Sequence, residues 1–250
     1  MPAGYEVLSL IYDRWQKTYG ADYSTLILPR LLDTIGRHSI PTTSMLDVAC
    51  GTGALGLMMA RRGWTVWGVD ASERMVEEAR RKLRSKRYRA TILRQDMRAL
   101  RLPVQVGLAT SMFDSLNHIL TTRELLRVFR GVCGSLVPGG HFVFDLNNEL
   151  CFRKLWTRTG TIHHRDFTII LENRYESGRK MAYSFVTVFL RNGDRYRRLG
   201  EIVRERCFAR KEVRELLETA GFKVQECEDF NFTDVPEMGK VKTWWVARKE

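Results

Sequence analysis

The chain has 250 residues, of which 44% are hydrophobic and 28% charged, a balance typical of a folded globular protein and not of a disordered chain. Lys and Arg exceed Asp and Glu by 41 to 29, so the net charge of +12 allows an acidic partner such as RNA, anionic lipid or a phosphorylated substrate. Five scattered cysteines exclude a disulfide framework, and no pair has zinc-site spacing. No signal peptide is evident and no apolar run reaches the ~18–20 residues of a membrane helix. We therefore expect a reduced, cytoplasmic protein with no metal site and no membrane partner.

From Ser44 onward, short apolar runs alternate with segments of helical spacing. The predicted strands are Ser44–Ala49, Thr65–Asp70, Ala90–Asp96, Val104–Thr110 and His141–Asp145. The predicted helices are Ala54–Arg62, Ser72–Arg84 and Arg123–Leu136, with Ser72 as an N-cap and Pro138-Gly139-Gly140 stopping the third. Strands that alternate with helices predict a parallel sheet covered on both faces.

The alternation breaks after Asp145. Antiparallel strands are predicted at Asp166–Asn173, Lys180–Leu190 and Arg195–Arg206, joined by turns at Glu176-Ser177-Gly178 and, as a type I′ turn, at Asn192-Gly193. The middle strand carries one aromatic face, which we expect to be packed: Met181, Tyr183, Phe185 and Phe189. The earlier pattern then resumes with a helix at Arg210–Ala220 and strands at Phe222–Glu228 and Lys242–Arg248.

These elements predict an α/β fold: a doubly wound, mainly parallel seven-stranded sheet with an inserted antiparallel β-sheet and N-terminal helices. The expected divisions are an N-terminal helical lid (1–43), a cofactor-binding core (44–148), the antiparallel insertion (149–207) and the end of the core (208–250). The insertion is expected to contact the substrate or to pair two subunits as a homodimer.

A glycine loop joins the first strand to its helix, as Gly51-x-Gly53-x-x-Gly56. Such a loop lets a ligand approach the backbone and presents helix N–H groups to it. The same pattern fits the dinucleotide fingerprint, and Asp70 at the end of the next strand would hold a ribose in either case. The loop alone therefore leaves a nicotinamide-dependent reductase open.

Five motifs, in order, make the sequence from about Ser44 to Lys249 similar to the class I S-adenosylmethionine-dependent methyltransferases. They are Asp47 before the glycines, Gly68-Val69-Asp70-Ala71-Ser72 with Met75 after it, Gln95-Asp96-Met97, Leu136-Val137-Pro138-Gly139-Gly140, and Leu217-Glu218-Thr219-Ala220-Gly221-Phe222. The resemblance implies a Rossmann-like methyltransferase fold and an enzyme that uses S-adenosylmethionine and releases S-adenosylhomocysteine.

The resemblance also implies a cofactor site at the carboxyl ends of the strands. Asp70 would accept from the ribose hydroxyls and Asp96 from the adenine amino group, while Gly51 and Gly53 would lie against the methionine moiety. The full set of cofactor-binding candidates is Asp47, Ala49, Gly51, Gly53, Asp70, Ala71, Met75, Gln95, Asp96, Met97, Ser111 and Phe113. The alternatives are that Asp70 caps the helix at Ser72 and that Met75 and Met97 belong to the core.

The segment from Ser111 to His118 follows the fourth strand, where this family places the methyl acceptor. Together with Tyr12-Asp13, it resembles small-molecule N-methyltransferases that act on amino sugars or amino acids. We expect methyl transfer to a small acceptor at an amine nitrogen, with His118 as the base, Tyr12 positioning the substrate and Asp114 steering the amine. The alternatives are a hydrogen-bonded helix-start role for His118 and a turn-capping role for Asp114.

RNA is the rival acceptor because of two basic segments. Seven basic residues lie between positions 80 and 89, which we expect at the end of the sheet opposite the cofactor, and a second group lies in the insertion: Arg195, Arg197, Arg198, Arg204 and Arg206. A tRNA or rRNA methyltransferase would use such charge to neutralise phosphates. A further alternative is a non-catalytic S-adenosylmethionine-binding regulatory module. His163-His164 is not expected to bind metal, because neighbours on a strand point to opposite faces.

Overall fold

The computed structural model describes residues 5–18, 22–231 and 239–250. Its strands are β1 (Ser44–Val48), β2 (Thr65–Asp70), β3 (Ala90–Arg94), β4 (Val106–Ser111), β5 (Leu136–Asn147), β6 (Thr159–His164), β7 (Phe167–Glu176), β8 (Met181–Asn192), β9 (Arg195–Arg206), β10 (Phe222–Phe230) and β11 (Lys242–Lys249). Its α-helices are α1 (Tyr12–Lys17), α2 (Tyr23–Arg37), α3 (Ala54–Ala60), α4 (Glu73–Leu83), α5 (Thr122–Ser135), α6 (Glu149–Leu155) and α7 (Arg210–Thr219).

The larger sheet has seven strands in the order β10-β11-β5-β4-β1-β2-β3. Strands β1 to β5 pair in parallel, whereas β11 is antiparallel to both β5 and β10. A separate four-stranded antiparallel sheet has the order β6-β7-β8-β9. The predicted fold class is confirmed, down to the inserted sheet.

Two apolar cores lie on the two faces of the seven-stranded sheet. Helices α2, α3 and α4 cover one face, and α5 and α7 cover the other. The neighbouring residues Trp244 and Trp245 of β11 show the alternation, because each is buried and each joins a different core. No helix in the described part of the chain is long and apolar enough to cross a membrane.

Helix α4 begins where the sequence predicts, since the side chain of Ser72 accepts a hydrogen bond from the Met75 N–H. The predicted start of β5 at His141 is wrong. Helix α5 ends at Ser135 and β5 begins at Leu136, so the Pro-Gly-Gly segment lies inside the strand. Gly139 has a φ of +75°, and the register with β4 shifts between Val106 and Leu108, which accommodates the irregular segment.

The hairpin at Asn192 is confirmed, but its predicted turn type is wrong. Asn192 pairs with Arg195, so the two loop residues are Gly193 and Asp194. Only Gly193 of the two has a positive φ, +61°, whereas a type I′ turn needs positive φ at both positions. The insertion also contains α6 and β6, which the sequence analysis did not predict.

The aromatic face of β8 points away from the rest of the described protein, contrary to the sequence prediction. The buried face carries Ala182, Ser184, Val186 and Val188, while Phe185 is 42% exposed. The N-terminal segment explains this orientation: Leu8 and Ile11 pack against the small and β-branched residues of the other face. The N-terminal segment therefore packs on the inner face of the inserted sheet.

Candidate active site

The glycine loop after β1 is tightly curved. Ala49, Gly51 and Gly53 have φ values of +57°, +53° and +75°, in the left-handed region that favours glycine. A Cβ on Gly53 would lie 2.9 Å from the Cβ of Ala79 in α4, so glycine lets the two helices approach. At Gly51, by contrast, no atom lies within 4 Å of where a Cβ would be, leaving room for a ligand against the backbone.

Asp70 holds this loop from the end of β2. Its Oδ2 accepts from the Gly51 N–H and its Oδ1 from the Ser72 N–H, both at 2.9 Å. Burial raises the pKa of this carboxyl. The capping contact to Ser72 is therefore present, and each oxygen retains a lone pair with which to accept from another donor. The ribose-binding role stays a prediction.

Asp47, at the end of β1, is buried beside the loop and accepts a hydrogen bond from the Thr110 hydroxyl at 2.8 Å. Burial raises the pKa of Asp47 to about 7. A cation placed next to this carboxyl would restore its charged form, because the attraction offsets the loss of solvation.

The residues predicted to hold adenine are engaged with their own loop. Gln95 bonds the backbone of Arg101 through both ends of its amide, at 2.9 and 3.0 Å. Asp96 pairs with the guanidinium of Arg98, which lowers the pKa of Asp96. Met97 packs against one apolar core, and Met75 is buried in α4. Their adenine-binding role stays a prediction, and Arg98 is a neighbour that the sequence analysis did not consider.

A cavity of about 270 Å³ opens between the glycine loop and the N-terminal helices. Of the predicted site residues it brings together Tyr12, Asp47, Ala49, Gly51 and Phe113. The remaining candidates lie outside its lining: Gly53, Asp70, Ala71, Met75, Gln95, Asp96, Met97, Ser111, Asp114 and His118. Ser111 is fully buried, and its hydroxyl has no hydrogen-bond partner among the described residues.

Three polar side chains connect the N-terminal helix α1 to the glycine loop and to α4. Asp13 accepts from the Thr52 hydroxyl at 2.6 Å, and the Lys82 ammonium lies 2.6 Å from the other Asp13 oxygen. Lys82 also donates to Thr52 at 2.8 Å. Lys82 belongs to the basic run that was predicted to lie at the far end of the sheet, so for this residue the prediction is wrong.

The residues that precede α1 are hydrogen-bonded to the inserted sheet. The carboxylate of Glu201, in β9, accepts from the backbone N–H groups of Tyr5, Val7 and Leu8 at 3.0 to 3.1 Å. These are charge-assisted hydrogen bonds, which are stronger than neutral ones. The insertion therefore positions the N-terminal segment that covers the site.

The turn after β4 is strained and tightly held. Phe113 and Asp114 have φ values of +60° and +53°, which is uncommon for residues other than glycine. Asp145, at 0% exposure, accepts from both of their N–H groups at 2.8 and 2.9 Å. The buried Lys242 ammonium joins Asp114 and Asp145 at 2.6 and 2.9 Å. Tyr23 donates to Asp145 and stacks on Phe113.

His118 follows in the next turn and has a defined tautomer. Its Nδ1 lies 3.2 Å from the carbonyl oxygen of Arg204, which can only accept, so Nδ1 carries the proton. Its Nε2 lone pair then accepts from the Tyr5 hydroxyl, also at 3.2 Å. Burial lowers the pKa of His118, so the ring is neutral at pH 7. A neutral imidazole with an available lone pair is able to act as a base.

Asp114 and Glu205 form a buried carboxyl pair beside His118. Burial raises the pKa of Glu205 well above its usual range. Burial acts in the same direction on Asp114, but Lys242, His118 and the hydrogen bonds from Lys242 and Glu205 together outweigh it and lower the pKa of Asp114. Donor atoms of Asp114, His118 and Glu205 lie within 4.8 Å of one another, a spacing that a metal ion is able to bridge. The Lys242 ammonium lies 2.6 Å from Asp114, so this cluster already has a positive charge beside it.

The structure thus brings Asp114 and His118 together, and Tyr12 reaches them through Tyr5, whose ring contacts both Tyr12 and His118. The turn-capping alternative for Asp114 fails, because its side chain makes no cap hydrogen bond. Four residues of this network were not predicted from the sequence: Tyr5, Asp145, Glu205 and Lys242. Only Asp145 and Lys242 carried a signal, as charged residues at the ends of two strands otherwise rich in apolar side chains.

Residues 45–140 match a family model described as a methyltransferase domain. The chain therefore contains a methyltransferase domain. The recognition of the class I methyltransferase family and the assignment as an enzyme are confirmed by this match together with the fold.

The relatives agree with this assignment. The chain is 27% identical over 248 residues to a Bacillus subtilis (strain 168) protein named "Putative methyltransferase YqeM", covering 98% of this chain and 97% of that one. It is 31% identical over 135 residues, 54% of this chain and 55% of the relative, to the dTDP-3-amino-3,4,6-trideoxy-alpha-D-glucopyranose N,N-dimethyltransferase of Streptomyces venezuelae. Its fold matches the crystal structure of an S-adenosylmethionine-dependent methyltransferase from Clostridium acetobutylicum with a TM-score of 0.81, 23% identity and 99% coverage of both chains.

Proposed function

We propose that this methyltransferase transfers the methyl group of S-adenosylmethionine to the amine nitrogen of a small molecule. The observation that carries the proposal is a neutral, half-buried His118, hydrogen-bonded to Tyr5, whose ring contacts Tyr12 in the lining of a cavity that the N-terminal helices cover. An amine acceptor needs such a base, and a small acceptor fits such a cavity.

The glycine loop fits the methyl donor. Gly51 lines the cavity with open space where a side chain would stand, and Asp47, also in the lining, would hold an ammonium group. When bound, S-adenosylmethionine supplies a sulfonium methyl group that a nucleophile is able to attack. The name of the Clostridium acetobutylicum neighbour supports the choice of donor.

The surroundings of the acceptor favour an amine. Asp114 and Asp145 share one Lys242 ammonium, so the three groups together carry one negative charge. Tyr12, Tyr23 and Phe113 surround the cavity with aromatic rings, whose faces attract cations. An amine that becomes positively charged during transfer would be stabilised here. The 31% identical relative, whose name specifies an amino sugar, supports this class of acceptor.

Tyr5 and His118 provide a route for the proton. The nitrogen lone pair forms the new N–C bond while the electrons of the old C–S bond stay on sulfur, and the nitrogen then holds a surplus proton. Tyr5 lies between Tyr12, which lines the cavity, and His118. The Tyr5 hydroxyl accepts the proton from nitrogen as it passes its own proton to His118 Nε2. Proximity and alignment account for the rest of the rate enhancement.

Transfer of radiolabelled methyl to a panel of acceptors tests the proposal. The panel contains amino-sugar nucleotides, free amino acids, the corresponding hydroxyl compounds and total tRNA and rRNA. We expect label on an amine, and a loss of about 10²-fold in kcat in Tyr5→Phe, because the proton route is broken. Tyr196→Phe, at a tyrosine 61% exposed in β9, is the matched control and keeps full activity.

Label on hydroxyl compounds alone would overturn the amine assignment, and label on RNA alone would make the chain an RNA methyltransferase. Binding of S-adenosylmethionine with no transfer to any acceptor would indicate a regulatory module.

A further inference from the structure

The inserted sheet has an outer face that no other described element covers. We define this outer face by its aromatic and arginine side chains, which alternate with the buried positions of β8 and β9: Tyr183, Phe185, Phe189, Arg191, Tyr196, Arg198 and Arg204. Phe185 is 42% and Tyr196 61% exposed, and none of the aromatic members belongs to an apolar core. Exposed aromatic rings grouped on one surface mark an interaction site.

Aromatic and basic side chains are directly paired across this face. The register places Tyr183 opposite Arg204, Phe189 opposite Arg198, and Tyr196 opposite Arg191. Cross-strand neighbours have Cβ atoms about 4.5–5.5 Å apart, so an arginine side chain starts next to each of these three rings on the same face. Neither Arg198 nor Arg204 forms an ion pair within the described part of the chain, so their charge faces solvent. Glu172, opposite Phe185 on β7, is the nearest acid in the register.

The spacing of the rings suits a chain of stacked bases. Tyr183 and Phe185 are separated by two residues of β8, which is about 6.8 Å along an antiparallel strand. Single-strand binding surfaces combine aromatic rings, on which bases stack, with basic side chains that follow the phosphates. Aromatic and basic side chains also suit an anionic lipid surface, so vesicles are included in the test below. A second copy of the chain would bring arginines against arginines.

We propose that the outer face binds single-stranded nucleic acid, with bases stacked on the rings of β8 and phosphates on the arginines of β9. The opposite face of the same sheet supports the N-terminal segment over the cavity. The bound strand is therefore a docked partner on the far side of the sheet from the cavity, and not the methyl acceptor. This proposal is independent of the amine acceptor.

Fluorescence anisotropy with a labelled oligouridylate and a labelled oligothymidylate, at about 50 and 200 mM salt, tests the proposal on the full chain. Arg198→Gln with Arg204→Gln should lower the slope of log affinity against log salt by about 1.4, since each phosphate contact contributes about 0.7 for single strands. Arg84→Gln with Arg87→Gln removes the same charge from the exposed end of the basic run and should leave the slope unchanged.

Phe185→Thr keeps strand propensity and removes one stacking ring, so the affinity should fall by about 5- to 150-fold. Leu26→Thr, at an exposed apolar residue of α2, is its matched control. Far-UV circular dichroism confirms that each variant is folded. The proposal would be overturned if the wild type bound neither strand at the lower salt, or if outer-face and control variants lost equal affinity. It would also be overturned if the outer-face substitutions weakened binding to phosphatidylserine vesicles and left binding to the oligonucleotides unchanged. Dimerisation that depends on Phe185, without nucleic-acid binding, would also overturn it.

Discussion

At the scale of single residues, the site depends on which groups carry protons inside the protein. Asp145 and Lys242 are fully buried as an ion pair, while burial raises the pKa of Glu205 and lowers that of His118. Each state follows from its neighbours, because a buried charge is tolerated only beside an opposite charge or several hydrogen-bond donors. His118 is thus ready to accept a proton at pH 7.

The pKa of His118 sets the pH dependence of methyl transfer. Because burial lowers that pKa, kcat should stay level from neutral pH down to below 6.5 and fall only as the ring becomes protonated at lower pH. His118→Gln should lower kcat by about 10²-fold and remove this acid limb. His163→Gln, at an exposed histidine of β6, is the control. The measurement is kcat against pH with a saturating acceptor, and an acid limb that survives in His118→Gln would contradict the role.

At the scale of elements, the inserted sheet acts on the site through the N-terminal segment. The Glu201 carboxylate accepts hydrogen bonds from three backbone N–H groups, and Leu8 and Ile11 pack on the sheet's inner face. The site therefore combines parts of both sheets: the glycine loop belongs to the large sheet, and the N-terminal segment that covers it is bound to the small one.

Glu201→Gln tests this attachment. The amide has one acceptor oxygen and no charge, so at least one charge-assisted hydrogen bond, worth about 1.5–3 kcal/mol, is lost. Hydrogen exchange at the amides of Tyr5, Val7 and Leu8 should accelerate by about tenfold or more. Glu172→Gln on the outer face is the control. Unchanged exchange at these amides would show that the apolar contacts alone hold the segment.

At the scale of the whole molecule, Lys242 links the last strand to the turn that forms the site. Lys242→Met leaves Asp114 and Asp145 buried without their cation, so the free energy of unfolding should fall by about 3–5 kcal/mol. Lys211→Met, at an exposed lysine of α7, should change it by less than about 0.5 kcal/mol. Urea denaturation measures both. A loss of under about 1 kcal/mol in Lys242→Met would mean that the carboxyls find other partners or take up protons.

The large sheet could be predicted from sequence because strand and helix periodicity, glycine turns and caps are local signals. Thr65–Asp70 was predicted to the residue, as was Arg195–Arg206 in the inserted sheet. Which face of β8 is buried could not be predicted from the sequence, because the aromatic face is the more apolar one. In the structure the N-terminal segment packs on the opposite face, which carries Ala182 and Val186.

The polar network of the site was predictable only in part. His118 and Asp114 follow the fourth strand and carry a local signal, but Tyr5 and Glu205 join them from positions far apart in the chain. Contacts of that kind depend on how the inserted sheet folds back over the core. The division into domains, the cytoplasmic location and the homodimer stay predictions.

Calorimetric titration with S-adenosylmethionine, S-adenosylhomocysteine and NADH measures which cofactor the glycine loop binds. Asp47 has a pKa of about 7, so the affinity for S-adenosylmethionine should rise about tenfold from pH 6 to pH 8 as the carboxylate forms. Asp47→Asn should bind more weakly and without this pH dependence. Binding of NADH alone, or of none of the three by the folded protein, would contradict the account.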